Sequence, residues 1–387
     1  MITHLDFEIS SLCNAGCPVC PRRDGGIFNK FNQTFWSLKE VQRVIGEELI
    51  SNLEYFNVCG NFGDGMGNPE VVEIIKWVRD SNPDCHIHIS TNGGIGKPHQ
   101  YELLAKMGVW MTFGIDGYGD KNELYRINAK WGKVNQNIKT FSENVLDNNQ
   151  IEIQFLLWDQ TRDQIKPIYD FCNEINCDSL FLREPFTLGE YTRGFNMKGE
   201  YTHSLTYEPN NLTKKLSSKK WSLNDKVELD LILSTESLGQ KDLVFENNVA
   251  QYNHIKRPYE YRDFVRDDSV KEGFQQTCYS KNTKDPSNLN ETQHNLYITY
   301  DGYLMPCCMI PPEYSLSLEN SKGDENDQQK EILNKLIDIG IDEFSLKERT
   351  INEVLESGVL HEFVYNDFEN NTQFVFCKTV CGKCNEL

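Results

Sequence analysis

Before residue 185 the chain carries six short strand-like runs, and each of the first five is followed by a loop with glycine or polar residues and a return segment that is mostly helical. The strand-like runs are Leu5–Ile9, Tyr55–Cys59, His86–Ser90, Trp110–Ile115, Ile151–Leu157 and Ser179–Leu182. Several of them alternate apolar and polar residues, the period of a strand. Among the helical segments, Ser37 with Glu40 three residues on forms a capping box. The helix it opens has Leu38, Val41, Val44, Ile45 and Leu49 on one face. Further helices are expected over Glu70–Arg79 behind Pro69, Tyr101–Met107, Lys133–Val145 and Thr161–Ile175, the last with Thr161 as its cap. Strand-then-helix alternation implies a parallel sheet with right-handed crossovers. Six units are too few for a closed eight-fold barrel, so the expected fold is α/β, a curved and open partial (β/α)6 TIM-like barrel. In barrels of this kind the chemistry sits at the C-terminal ends of the strands.

The loop after the first strand is Cys13-Asn-Ala-Gly-Cys17-Pro-Val-Cys20, a C-x3-C-x2-C spacing. Three thiolates on one tight loop can hold three irons of a cubane cluster and leave the fourth iron open to a small molecule. A zinc loop or unconnected core thiols would use the same residues. Three more strand ends carry distinctive loops: Gly63-Asp64-Gly65-Met66 after the second, Thr91-Asn92-Gly93 after the third and Asp116-Gly117 after the fourth. Each alone reads as a turn. Taken in order, each behind its strand, they point to one site.

The cysteine loop resembles that of the radical S-adenosylmethionine (SAM) superfamily, apart from Val19, where that family usually has an aromatic residue. The resemblance implies a SAM-binding 4Fe–4S cluster on Cys13, Cys17 and Cys20. It also implies reductive cleavage of SAM to a 5′-deoxyadenosyl radical. Gly63, Asp64 and Gly65 stand where the family has Gly-Glu-Pro, whose backbone and carboxylate receive the SAM ammonium. Thr91 and Asn92 resemble the family's Thr-Asn-Gly after the third strand, near SAM's methionyl and ribose groups, and Asp116 resembles its fourth-strand Asp-Gly ending, a further cofactor-binding candidate.

The chain has 387 residues, enough for two domains, and 39% of them are hydrophobic. No apolar run is long enough to span a bilayer and no secretory signal is visible, so a cytoplasmic protein without a membrane partner is expected. The net charge of −19 disfavours nucleic acid and anionic membrane surfaces. Thirteen cysteines without a signal peptide suggest metal clusters more than disulfides. Cys59, Cys85, Cys172 and Cys177 fall at no metal-like spacing and read as buried thiols.

Three parts are expected: a barrel over 1–184, a linker or insertion over 185–277, and a smaller α+β cysteine-rich domain over 278–387. The middle part is polar and broken by Pro185, Pro209 and Pro258, with one plausible helix near Lys226–Leu233. In the last part Asn295–Tyr300 alternates as a strand into Asp301-Gly302, a strong hairpin turn, and the chain returns to Cys307-Cys308. Helices are expected over Asp327–Ile339 and Ile351–Ser357. The run of Cys278, Gly302-x4-Cys307 and Cys377-x3-Cys381-x2-Cys384 resembles the auxiliary-cluster domain called SPASM, or its shorter twitch relative. That resemblance implies one auxiliary 4Fe–4S cluster on Cys278, Cys307, Cys381 and Cys384. Cys308 and Cys377 are contenders, and a structural zinc is the alternative.

The function implied by these resemblances is a radical SAM oxidoreductase supplied by a low-potential donor such as flavodoxin or ferredoxin. Its expected substrate is a ribosomally made peptide. The alternatives are dehydrogenation or rearrangement of a sugar or cyclitol, and a non-catalytic iron–sulfur scaffold or electron carrier. The first strand begins at Leu5, so no leader-peptide-binding domain is expected before it.

Overall fold

The computed structural model describes residues 2–20, 22–24, 27–28, 32–146, 150–185, 191–208, 211–217, 219–222, 225–234, 281–282, 293–306, 334–360 and 362–363. Six parallel strands follow one another in chain order: β1 (Ile2–Phe7), β2 (Tyr55–Val58), β3 (His86–Thr91), β4 (Trp110–Gly114), β5 (Ile151–Leu156) and β6 (Ser179–Arg183). Between them run α1 (Leu38–Asn52), α2 (Val71–Ser81), α3 (Pro98–Lys106), α4 (Trp131–Ser142) and α5 (Ile165–Glu174). This is the mostly parallel α/β sheet that the alternation predicts.

Local chemistry fixes several helix starts. Ser37 accepts the Glu40 amide and Glu40 accepts the Ser37 amide, closing the predicted capping box of α1. Pro98 stands at the first position of α3, where its missing N–H costs nothing. The expected helix from Thr161 is corrected. A 3-10 turn covers Asp159–Gln164, and α5 begins only at Ile165. The Thr161 hydroxyl turns back to the Trp158 carbonyl at 3.4 Å, so it caps nothing.

The two faces of the sheet differ in chemistry. Leu5, Phe7, Phe56, Val58, Ile87, Ile89, Met111, Phe113, Ile153 and Phe155 lie in one buried cluster with Val41, Val44, Ile74, Ile75, Val134 and Ile138 of the helices. The residues between them point the other way, inward in a barrel of this hand. Towards the N-terminal ends the rings of His4, Tyr55, His86 and Trp110 follow one another in a row, with centroids 5.8, 4.6 and 6.2 Å apart, the first pair stacked and the others tilted. One layer higher a hydrogen-bonded chain crosses five strands. Asn57 donates to Asp6 at 2.6 Å, His88 lies 2.7 Å from Asn57 and 2.8 Å from Thr112, and Thr112 donates to Glu152 at 3.2 Å.

Both edges of this sheet are extended. β7 (Tyr191–Phe195) and β8 (Tyr201–Thr206) form a separate antiparallel hairpin. After it come α6 (Asn211–Ser217), β9 (Lys220–Ser222) and α7 (Lys226–Ser234). β9 pairs antiparallel with β6. On the opposite edge β10 (Gln293–Ile298) pairs parallel with β1, Leu5 lying opposite Leu296 and Phe7 opposite Ile298. The expected Asp301-Gly302 hairpin is present, with β11 (Leu304–Met305) returning along β10. Among the described residues this sheet has ten strands, the tenth being the short Lys281–Asn282, which pairs antiparallel with β10. A further helix, α8 (Ile351–Glu356), opens on a capping box of Thr350 and Glu353. Cys278, Cys307, Cys308, Cys377, Cys381 and Cys384 lie outside the described residues. Among the described residues no helix is long and apolar enough to cross a membrane.

Candidate functional site

The cysteine loop leaves the carboxyl end of β1 and is anchored before its first cysteine. The Ser11 amide donates to Thr34 O at 3.0 Å, and the Ser11 hydroxyl donates to Asn32 O at 2.7 Å. Beyond Cys13, side-chain amides and backbone latch the loop to neighbouring strand ends. Asn14 donates to Gly94 O at 3.1 Å, Asn128 donates to Asn14 O at 2.9 Å, and the Gly16 amide donates to Ile127 O at 2.8 Å. Asn128 does so from a left-handed backbone, φ 70°, which asparagine tolerates better than most residues. Arg22 is buried and reaches back to the carbonyls of Cys13 and Ala15.

Cys13, Cys17 and Cys20 are half-buried free thiols. Burial pushes all three thiols up, Cys20 to about 11. Donors nevertheless approach the sulfurs. Ala15 N and Asn92 Nδ2 each stand 3.4 Å from Cys13 Sγ, and Arg126 Nη1 stands 3.9 Å from Cys17 Sγ. N–H groups aimed at sulfur favour thiolate, the form that binds metal. Among the described residues no three His, Cys, Asp or Glu side chains are grouped to hold a single metal ion. A cubane takes one thiolate per iron, so three thiols spread over one loop suit it. Of the other described cysteines Cys85, Cys172 and Cys177 are buried as expected, whereas Cys59 is only half-buried, and the Cys177 thiol donates to Ser179 O at 3.1 Å.

The loops after β2 and β3 meet at Asp64. Its Oδ1 accepts the Met66 amide at 3.0 Å. Its Oδ2 accepts the Thr91 hydroxyl at 3.0 Å, the Asn92 amide at 2.9 Å and Asn92 Nδ2 at 2.7 Å. Burial raises this carboxyl's pKa, and the hydrogen bonds oppose the rise. Both oxygens are engaged within the protein, so Asp64 acts first as the tie between two loops. Gly65 begins the short 3-10 turn Gly65–Gly67 that Asp64 caps. Gly63 presses on the backbone before the cysteine loop. A Cβ there would fall 1.9 Å from Ser10 O, so only glycine allows the approach. Asn92 completes the arrangement, since its Nδ2 also donates to Asn14 Oδ1 at 3.1 Å.

Asp116, past the end of β4, is fully buried. Its Oδ1 accepts the Leu156 amide at 2.7 Å and its Oδ2 accepts Arg126 Nε at 2.5 Å. The sequence-predicted residues Cys13, Asp64, Thr91 and Asn92 are therefore joined in one hydrogen-bonded cluster. Asp116 joins the cysteine loop through Arg126 and Cys17. Sequence reasoning missed Arg126, Asn14, Asn128 and Arg22. Arg126 comes ten residues after Asp116, in a polar stretch with no periodicity, and nothing local marks it. Asn14 lies inside the cysteine motif, where its position was a signal that could have been used.

The mostly parallel α/β sheet therefore carries a three-thiol loop at the carboxyl end of its first strand. Residues 7–172 match the model of the radical SAM superfamily. Among solved structures, anSMEcpe with bound AdoMet is similar over 98% of this chain and 85% of its own, at 13% identity and TM-score 0.50. Streptococcus suis SuiB bound to S-adenosylmethionine matches over 94% and 72%, at 15% identity and TM-score 0.49. In another SuiB structure, at 15% identity and TM-score 0.48, 84% of this chain covers 64% of that chain, less than two thirds of its length. Comparison with curated proteins gave no match.

Proposed function

We propose that the chain is a radical SAM enzyme that oxidatively modifies a substrate, a ribosomally made peptide in our reading. The observation that carries the proposal is Asn92, whose amide contacts Asp64, Asn14 and Cys13. Through it the loops after β1, β2 and β3 become one rigid cradle around the cysteines. Cys13, Cys17 and Cys20 would hold a 4Fe–4S cluster, and the donors at their sulfurs fit thiolate ligands. Gly63, Asp64, Gly65, Thr91, Asn92 and Asp116 shape the wall on which SAM would lie. When bound, the cluster and SAM supply reductive cleavage of SAM and a radical that abstracts hydrogen from substrate. The protein's part is to orient these groups and to keep water away.

Four further cysteines, Cys278, Cys307, Cys381 and Cys384, would hold an auxiliary cluster that accepts the substrate electron. A low-potential donor such as flavodoxin or ferredoxin would supply the reducing electron, in the cytoplasm. The peptide assignment rests on the two-part organisation in sequence, a barrel followed by a SPASM-like run of cysteines.

The test is 5′-deoxyadenosine formation by anaerobically reconstituted protein with SAM and dithionite, beside a Cys13/Cys17/Cys20→Ala variant. Formation by the native protein alone supports the reading. Absence of product from native protein with full iron and sulfide, tried with candidate peptides and with sugars, overturns it in favour of an electron carrier.

A further inference from the structure

The contact between Arg126 and Cys17 is unexplained by the loop's architecture. Arg22, Asn14 and Asn128 bind backbone and fix the loop's shape, but Arg126 reaches the sulfur of Cys17, 3.9 Å from Nη1 to Sγ. The guanidinium is fixed from three directions. Asp116 Oδ2 accepts its Nε at 2.5 Å, and its side chain is only 19% exposed. The Tyr125 ring lies beside it, 5.1 Å from Cζ to the ring centroid. Gly114, at the end of β4, leaves it room, since a Cβ there would lie 2.6 Å from Nη2. A planar, weakly hydrated cation held in this way keeps its charge and its direction.

We propose that Arg126 is a positioning residue that directs its positive charge at the Cys17 thiolate and raises the reduction potential of the cluster bound there. The proposal deepens the radical SAM reading and rests on it for the identity of the cluster. The physical basis is direct. Reduction adds one negative charge to the cluster, and a nearby cation stabilises the reduced form more than the oxidised one. Hydrogen bonds to ligand sulfurs and local charge are two of the factors that set such potentials. Burial strengthens the effect by lowering the effective dielectric. Asp116 carries the opposite charge, but it holds the guanidinium by Nε and leaves Nη1 turned to the sulfur. Its role is orientation, and Gly114 supplies the space.

The experiment is a redox titration followed by electron paramagnetic resonance on the reconstituted full chain without SAM. The N-terminal cluster's signal is the one absent from the Cys13/Cys17/Cys20→Ala protein. Arg126→Gln is expected to lower its midpoint potential and Arg126→Lys to lower it less. Gly114→Ala, which keeps the charge but displaces the guanidinium, is also expected to lower it. If Arg126→Gln fails to load iron, Gly114→Ala carries the test alone. Unchanged potentials in iron-replete variants would overturn the proposal. Because the titration omits SAM, an effect through SAM binding alone would leave the potential unchanged and count against it. A native cluster that shows the shift but does not cleave SAM would sink the enzyme reading and leave this inference standing. A native protein with no cluster on the three cysteines would overturn both.

Discussion

Glu8 follows β1 directly and has no exposed surface. Its Oε1 accepts the Phe62 amide at 2.8 Å. Burial pushes its carboxyl up to about 8, although the Phe62 amide and the Tyr297 hydroxyl favour the ionised form. In the unfolded chain a glutamate titrates at about 4.3. The folded state therefore holds the proton over a window in which the unfolded state has lost it, and stability falls as pH rises from about 4.3 towards 8. Glu8→Gln keeps the acceptor for the Phe62 amide and removes the titration. Relative to wild type, this variant is expected to gain stability progressively between pH 5 and pH 8, by at most about 1.4 kcal/mol for each pH unit. The check is the urea midpoint of both proteins across that range. A constant difference would mean that Glu8 does not change protonation on unfolding. At this scale the sequence was partly legible. Cysteines at C-x3-C-x2-C spacing announce themselves because metal chemistry limits the spacing. Glu8 and Arg126 do not, because their roles arise from packing and from partners far along the chain.

The glycine and asparagine loops work as elements, through close backbone approach. Gly63 lets the β2 loop rest on the peptide of Ser10, and the Asp64 amide then donates to Leu12 O at 2.9 Å. One segment thus braces the residues that lead into Cys13. Gly63→Ala would force the two backbones apart, at a cost of about 1–3 kcal/mol for overpacking a tight site. The expected outcome is a lower denaturation midpoint together with reduced iron on the N-terminal loop after reconstitution. Native iron content in this variant would show that the brace does not position the cysteines. The elements themselves were largely legible, since strand alternation and the Ser37–Glu40 box are local signals. Thr161 misled because a threonine ahead of an apolar run suits a cap, while here its hydroxyl bonds back towards the end of β5. The place of β10 beside β1 was not legible. Its alternation marks a strand, but pairing across almost three hundred residues is decided by which sheet edge remains open.

That edge pairing governs the molecule as a whole. The barrel units end near residue 184, yet β1 is bonded on its outer side by residues beyond 290. The Glu8 amide donates to Ile298 O at 2.9 Å, and Trp36 Nε1 donates to Thr299 O at 3.2 Å. Arg43 of α1 reaches Leu346 O at 2.7 Å and Arg349 O at 2.9 Å. Leu296, Tyr297, Ile298, Leu304 and Met305 are all buried in this junction. A chain cut to residues 1–184 would expose the outer edge of β1 with unpaired backbone groups and an apolar margin, the features that drive edge-to-edge association. It would also free the strand that leads into the cysteine loop. The truncated protein is therefore expected to self-associate and to retain less iron than the full chain under the same reconstitution. Co-expression with a fragment covering residues 281–363 is expected to restore both properties in part, because β10 can then pair in trans. Size-exclusion chromatography and iron analysis decide the matter. A monomeric 1–184 fragment with full iron on Cys13, Cys17 and Cys20 would show that the barrel is self-sufficient. Restoration by the added strand would show that the C-terminal third completes the sheet on which the candidate site is built.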